Sequence, residues 1–501
     1  MSQSKPFEPE IVELPLSAAD RSSVDGVRTF FKRLSKLDNS LFLDGGGESQ
    51  QTEDLNRYSF LAADPIEKLT VTSDCEFELE QLRSLMSKFP FQRVAELPPF
   101  QGGIAGLISY EFNRRLEQVP HSPVDEFKVP QLALFVYDVV VAIDHQQQRA
   151  WLVSQGWPES DPEKRRTRAR GRADFFLRVL TAPEEVENAG QSIKPTKPLA
   201  PKSEMNELAA SVELYSDFSQ EKFLEMIQTA VEYIHAGDVF QANLSQRLLT
   251  PATKRSEELY WDLRTANPAP FSAYFDFGDG QVVSASPERL VSMHDKEIET
   301  RPIKGTRRRT YFPEVDLNTS AELLQCEKDR AENTMIVDLM RNDLSRVAEV
   351  DSVRVSKLCG IEQFANVFHL VSVVHAKLSD QHDAVDLLAS LFPGGSITGA
   401  PKIRAMEIIA ELEPTARGAY CGSIGYLCPD GDLDFSILIR TITAKDGWWQ
   451  IPVGGGIVSD SVPEKEYEET WTKAVGMLRA IEQRSESESS KLAGSTKVPV
   501  P

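Results

Sequence analysis

Lys304 lies in the run Arg301-Pro302-Ile303-Lys304-Gly305-Thr306. Most lysines are solvated and chemically silent. Here the segment ahead, Val282 to Val291, is mostly apolar, and Pro302 and Gly305 punctuate the chain so that the side chain has a fixed aim. Desolvation in such a place lowers an amine's pKa and makes it a nucleophile at neutral pH.

Two further segments carry carboxylates at helical spacing. In EKDRAENTMIVDLMR, Glu327 to Arg341, Met335 and Leu339 belong to an apolar stripe, and Asp329 and Glu332 share a face. In PEKEYEETWTKAVGML, Pro463 to Leu478, proline opens the helix and Glu466, Glu469 and Lys473 share a face. Either helix alone fits a solvated acidic face with an i,i+4 Glu–Lys pair. Together, with no His or Cys among the candidates, they offer the oxygen ligands that suit Mg²⁺ rather than Zn²⁺.

Glycine-rich turns separate these helices. The first, PGGSITGAPK at 393–402, opens a helix, and the second is Gly454-Gly455-Gly456. Pro401 separates the first set of glycines from Lys402, so GxxxxGK[ST] spacing is absent and nucleotide binding is excluded. Backbone N–H groups at that helix start still favour an anion. Arg440 ends an extended stretch, Phe435 to Ile442, and carries the fork that grips a carboxylate; a structural ion pair would use it equally well.

The elements that must position these groups span 501 residues, enough for about three domains or one large α+β unit. Residues 10–181 mix strand-like runs such as Leu132 to Ile143 with a basic helical stretch around Lys164 to Leu180. Residues 182–206 are poor in aromatics and rich in Pro, Glu and Lys, as expected of a linker or exposed loop. The chemistry-bearing residues lie in 207–482, and the Ser/Glu/Lys-rich stretch 484–501 reads as a disordered tail. The net charge of −21 disfavours nucleic acid and anionic membranes as partners. The opening residues lack a charged-then-apolar signal pattern, and no apolar run reaches the ~18 residues of a membrane span. Five scattered cysteines without a CxxC pair fit a reducing compartment and exclude a cysteine zinc site. A soluble, cytoplasmic enzyme is expected.

Read block by block, the chain resembles the chorismate-utilising enzymes, which include the anthranilate synthase large subunit, aminodeoxychorismate synthase component I and the isochorismate and salicylate synthases. The resemblance runs through IHAGDVFQANLSQR (234–247), SASPER (284–289), RPIKGT, KDRAEN, VDLMRND, PGGSITGAPK, YCGSIGY (420–426), GGGIVSDS and EYEETWTK. It continues in RYSFLAADP (57–65) and PPFQGGIAGLISYE (98–111). It implies an α+β fold of two β-sheets packed face to face with helices outside, the two parts of the chain completing one intertwined domain. It further implies that Mg²⁺, held by Glu332 and Glu469 with Glu466 nearby, binds the ring carboxylate of chorismate. Arg440, Tyr420, Lys473 and the backbone near Gly454 and Gly456 would bind the rest. Glu288 would be the general acid that protonates the departing C4 hydroxyl, and Thr306 and His369 would line the pocket; a core histidine is the other reading of His369.

Two positions separate the branches of that family. Where the isochorismate and salicylate synthases carry a water-activating lysine, this chain has Gln241, which cannot act as a base. Where anthranilate synthases typically have alanine, it has Lys304, as aminodeoxychorismate synthases do. The resemblance therefore implies covalent attack by Lys304 at C2 and entry of ammonia at C4. None of the cysteines sits in a GxCxG-like elbow, so ammonia is expected from a separate glutamine amidotransferase subunit. Leu41-Phe42-Leu43-Asp44-Gly45 departs from the LLES-like segment of tryptophan-binding relatives, although Asn267-Pro268-Ala269-Pro270 keeps their NPxP pattern. Any bound tryptophan is then structural, not a feedback signal.

Overall fold

Strand-forming runs of Val, Ile, Phe and Tyr from both ends of the chain pair into two large sheets. The computed structural model describes residues 7–15, 23–46, 55–183, 205–209, 213–364 and 367–482. Among them, a 13-stranded sheet runs from Glu10–Leu14 through Leu41–Asp44, Phe271–Asp276, Gly280–Ser286, Thr441–Lys445 and Trp448–Ile457 to Gln241–Pro251 and Asn206–Ala209. A 10-stranded sheet runs from Ile303–Arg308 through Val367–Lys377, Arg289–His294, Leu433–Ile437, Ser423–Leu427 and Gly103–Ile108 to Glu67–Val71.

Four layers result. Leu41, Phe60 and Phe275 of the first sheet meet Leu107 and Phe135 of the second in a core between the sheets, where the rings of Phe135 and Phe275 lie 5.3 Å apart. The outer face of the first sheet is covered by helices Ser23–Leu34, Pro162–Thr181, Ser256–Ala266 and Pro463–Glu482 through Phe31, Phe176, Tyr260 and Met477. Helices Leu79–Ser87, Glu327–Ser345 and Ala384–Leu391 cover the second. The helix Glu327–Ser345 follows the expected period, burying Ile336, Val337, Met340 and Leu344. The result is the expected α+β sandwich. It is intertwined, since Leu41–Asp44 pairs with Phe271–Asp276, and Gly103–Ile108 with Ser423–Leu427.

The sheets also exchange strands directly, and sequence reading misses this. Leu132 to Ile143 divides into Leu132–Tyr137 in the second sheet and Val139–Asp144 in the first. The break falls at Asp138, fully buried and paired with Arg172 at 2.8 Å. Phe435 to Ile442 divides similarly, with Arg440 in the connection at φ 51°. Both runs are apolar on both faces because each strand is covered by a sheet on one side and by helices on the other, so no change of period marks the crossing. Most of the linker 182–206 lies outside the described residues, and its last residue begins the strand Asn206–Ala209. The tail 484–501 also lies outside them. No described helix is long and apolar enough to cross a membrane.

Phe275 is fully buried at the centre of the intersheet core. Phe275→Ala should destabilise the protein by roughly 3–5 kcal/mol, measured by chemical denaturation.

Candidate active site

The chemistry collects where the chain crosses between sheets. Glu288 lies between Gly280–Ser286 of the first sheet and Arg289–His294 of the second, and Arg440 lies on the reverse crossing. The two crossings run side by side: Ile437 N donates to Glu288 O at 3.0 Å, and Ala285 N to Arg440 O at 3.2 Å. The turn carrying Tyr420 joins them through Cys421 N to Leu438 O at 2.8 Å and Leu438 N to Gly422 O at 2.9 Å. The stretch around Glu288 thereby forms one wall with two stretches that lie more than a hundred residues further along the chain.

Lys304 reaches this wall from the edge strand Ile303–Arg308. Pairing with Val367–Lys377 slips between Lys304 and Thr306, where Gly305 adopts φ 76°, and such a bulge re-aims the side chain beside it. Lys304 Nζ donates to the carbonyl of Ser396 at 2.9 Å. Burial lowers its pKa against the opposing pull of Glu332 and Glu288, and Lys473 reinforces the lowering. Glu288 is 4% exposed. Burial raises its carboxyl to about 7, against smaller opposing effects of Ser396 and Lys304. An amine whose pKa is lowered and a carboxyl whose pKa is raised are thus set side by side, their titrations shifted toward one another.

Thr306 faces His369 across the ladder, its hydroxyl 2.9 Å from Nδ1. Burial and then the Arg440 guanidinium push the imidazole down to about 3, so it is neutral. His369 is thus both a satisfied core residue and a neighbour of the site's arginine. Arg440 has no ion pair among the described residues, and burial lowers its pKa, leaving a desolvated cation available to an incoming anion. Tyr420 is buried with its ring against Arg417, 5.7 Å from centroid to guanidinium carbon.

The carboxylates face the glycine strand. A Cβ at Gly455 would lie 3.6 Å from both Glu466 Oε2 and Glu469 Oε1 and 3.5 Å from Lys473 Nζ, so the bare backbone forms the floor beneath them. Lys473 pairs with Glu469 at 2.7 Å and donates to Gly454 O at 2.8 Å, while Ser461 donates to Glu466 at 2.7 Å. Burial raises the pKa of Glu332, countered by Lys304 and Lys328 and reinforced by Asp329 and Glu466. Burial also raises Glu466, helped by Glu469. For Glu469, burial is outweighed by Lys473, Lys328 and Lys304, and its pKa falls. The three carboxylates do not all converge within 4.8 Å, a spacing met among the described residues by His294, Asp295 and Asp432. That second group carries no comparable case, because Asp432 is already paired with Arg93 at 2.6 Å. The remaining candidate metal residue of the first helix, Asp329, is instead engaged by Arg307 at 3.1 Å.

Gln241 is fully buried, and neither amide atom has a hydrogen-bond partner. A Cβ at Gly456 would lie 2.1 Å from its Nε2, so glycine there lets the amide lie across the strand. A buried orphan amide marks a place where a ligand completes the bonding. The segment 393–400 is not an open anion cradle: Gly399–Ala400 pairs with Gln241–Ala242, and Lys402 is committed to Asp343 at 2.6 Å. Sequence reading missed Ser396, which acts through a carbonyl, and the buried pair Glu413–Arg417 behind it. The pair's i,i+4 spacing was visible, but it straddles a helix end and a turn.

The chain matches the chorismate binding enzyme family over residues 38–479. It belongs to that family. Among curated relatives it is 38% identical to aminodeoxychorismate synthase component 1 of Escherichia coli, over 91% of this chain and 96% of that one. It is 41% identical to anthranilate synthase component 1 of Thermus thermophilus, over 80% and 83% of the two chains. Anthranilate synthase component I from Streptococcus pneumoniae superimposes with a TM-score of 0.72 at 33% identity, covering 84% of this chain and 92% of that one.

Glu288→Gln tests the raised carboxyl pKa. Because the folded-state value lies above the ordinary 4.5, the group's contribution is most favourable at low pH and is lost as pH rises through about 7. The variant should gain thermal stability relative to the parent between pH 5 and pH 8, by at most about 3 kcal/mol, while losing roughly 10²–10⁴-fold in turnover. A gain independent of pH would contradict the assignment.

Proposed function

We propose that this chorismate-binding enzyme is the synthase component of an aminodeoxychorismate synthase, converting chorismate and ammonia to 4-amino-4-deoxychorismate for 4-aminobenzoate and folate synthesis. The observation that carries this reading is Lys304, an amine with a lowered pKa set beside Glu288, whose carboxyl is raised to about 7.

In this reaction the neutral Lys304 amine forms a bond to C2 as the ring double bond shifts and the C4–O bond breaks. Glu288 gives its proton to the departing hydroxyl, which leaves as water. The secondary ammonium formed at Lys304 returns a proton to Glu288. Ammonia then bonds to C4, the C2–N bond breaks, Lys304 is released with a proton from Glu288, and the ammonium formed at C4 returns a proton to Glu288. The balance is chorismate plus ammonia giving the 4-amino product plus water. Arg440 and Lys473 would hold carboxylate groups of the substrate, Thr306, neutral His369 and Tyr420 would bound the ring, and Gln241 would supply hydrogen bonds without acting as a base. The backbone near Gly454 and Gly456 would complete the pocket, with Gly455 keeping its face clear below the carboxylates.

Glu332, Glu466 and Glu469 fit Mg²⁺: all are oxygen donors, and two of them open onto the side-chain-free face of Gly455. Because the three do not close on one another, a small cation held there would keep positions for a substrate carboxylate and water. When bound, the ion supplies charge neutralisation for that carboxylate.

Ammonia would come from a separate glutamine amidotransferase. The buried cysteines are poorly suited to hydrolysing glutamine, since burial pushes Cys421 up to about 12 and raises Cys428 as well. The free cysteines suit the cytoplasm as the site of action. Anthranilate synthase component I is the second reading, favoured by relatives of that activity at similar identity.

Purified protein with chorismate, Mg²⁺ and ammonium at high pH, followed by the lyase, should yield 4-aminobenzoate. Fluorescent anthranilate as the main product without lyase would establish the second reading instead. Lys304→Ala should slow turnover and divert ammonia toward C2; an unchanged rate of the C4-amino product would remove Lys304 from the nucleophile's role.

A further inference from the structure

Behind the reacting groups lies a buried ionic hub that none of the roles above uses. Arg417 is 4% exposed, as is Glu413. Arg417 Nε donates to Glu413 Oε2 at 2.8 Å and one terminal nitrogen to Glu413 Oε1 at 2.7 Å, a bidentate pair. The same terminal nitrogen donates to Asn243 O, and the other to Ile397 O at 3.2 Å. The guanidinium also stacks on Tyr110 at 4.6 Å and on Tyr420 at 5.7 Å. Glu413 Oε1 accepts in addition from the backbone N and the hydroxyl of Ser245, both at 2.8 Å. Glu111, from the first part of the chain, receives Arg417 N and Gly418 N at 2.9 Å each.

These bonds join every segment behind Lys304. Ile397 follows Ser396, whose carbonyl receives the Lys304 amine. Asn243 is two residues from Gln241 on the strand Gln241–Pro251, from which Ser245 also reaches Glu413. Tyr420 ends the turn that Glu111 caps.

We propose that Arg417, held by Glu413, is a positioning residue for the amination chemistry: through Ile397 it fixes the Ser396 carbonyl, and so the aim of the Lys304 amine. The physical argument is that a buried ion pair is a poor source of stability, since desolvation offsets its attraction, but it is a strict geometric device when each donor has one acceptor. Arg417 spends donors on two backbone carbonyls from different segments, which apolar packing could not hold in register. The proposal rests on the reading of Lys304 as the nucleophile.

The test uses Arg417→Lys, which keeps the charge but loses the fork, and Glu413→Gln, which keeps the shape but loses the charge. Two readouts are taken: steady-state kinetics with chorismate and ammonium, and the rate at which an amine-selective acylating reagent labels Lys304 and Lys473 in the resting protein, measured by mass spectrometry. The expected result is a fall in kcat of roughly 10–100-fold with a smaller change in KM, together with an altered labelling rate at Lys304 and an unaltered one at Lys473. Unchanged kcat, unchanged Lys304 labelling, or equal changes at both lysines in both variants would overturn it. The last outcome would mean that the pair only supports the fold. Absence of chorismate turnover in the parent protein would overturn the proposed reaction, while the labelling contrast between the two lysines would still decide whether Arg417 aims Lys304.

Discussion

The active site depends on one constraint: ionisable groups are carried into the seam between two sheets without full compensation. Glu288 and Arg440 sit on adjacent strand crossings, and Lys304 is aimed at the same seam by a bulge. Desolvation there favours the neutral forms of the acid and the amine together. A Glu or Lys on the surface would titrate near its ordinary value and be ionised at neutral pH.

The seam can hold these groups because the surrounding layers are rigid. The core between the sheets is aromatic and close-packed, and helices cover both outer faces. The polar end of the intersheet layer is closed by ion pairs: Arg417 with Glu413, and Arg247 with Glu126 at 2.6 Å. Among the buried side-chain atoms without a partner are both amide atoms of Gln241. Buried groups left without partners are where an incoming ligand gains most.

Much of the site was legible in residue patterns. The two acidic helices were visible as 3.6-residue periods with carboxylates on one face, and they form with nearly the expected bounds, Glu327–Ser345 and Pro463–Glu482. Glycine, needed where no side chain fits, marked the strand beneath them. Arg440 was placed on one continuous strand, because an apolar run buried on both faces carries no sign of the point at which it changes sheets. Asp329 looked equivalent to Glu332 by spacing, yet its partner is Arg307, brought close by the fold.

The sequence by itself determined which groups are available: an amine flanked by Pro and Gly, acidic helix faces, glycines under them, and a glutamine where a base would otherwise stand. These follow from side-chain chemistry and local backbone preference, which act over a few residues. Only the tertiary structure decided that the Glu288 carboxyl is raised by burial, that Lys304 points at the Ser396 carbonyl, and that Arg417 lies behind both. Each of those depends on desolvation and hydrogen bonding between segments far apart in the chain, 174 residues in the bond from Arg417 to Asn243, and no local pattern encodes which distant carbonyl or ring will close over a charge.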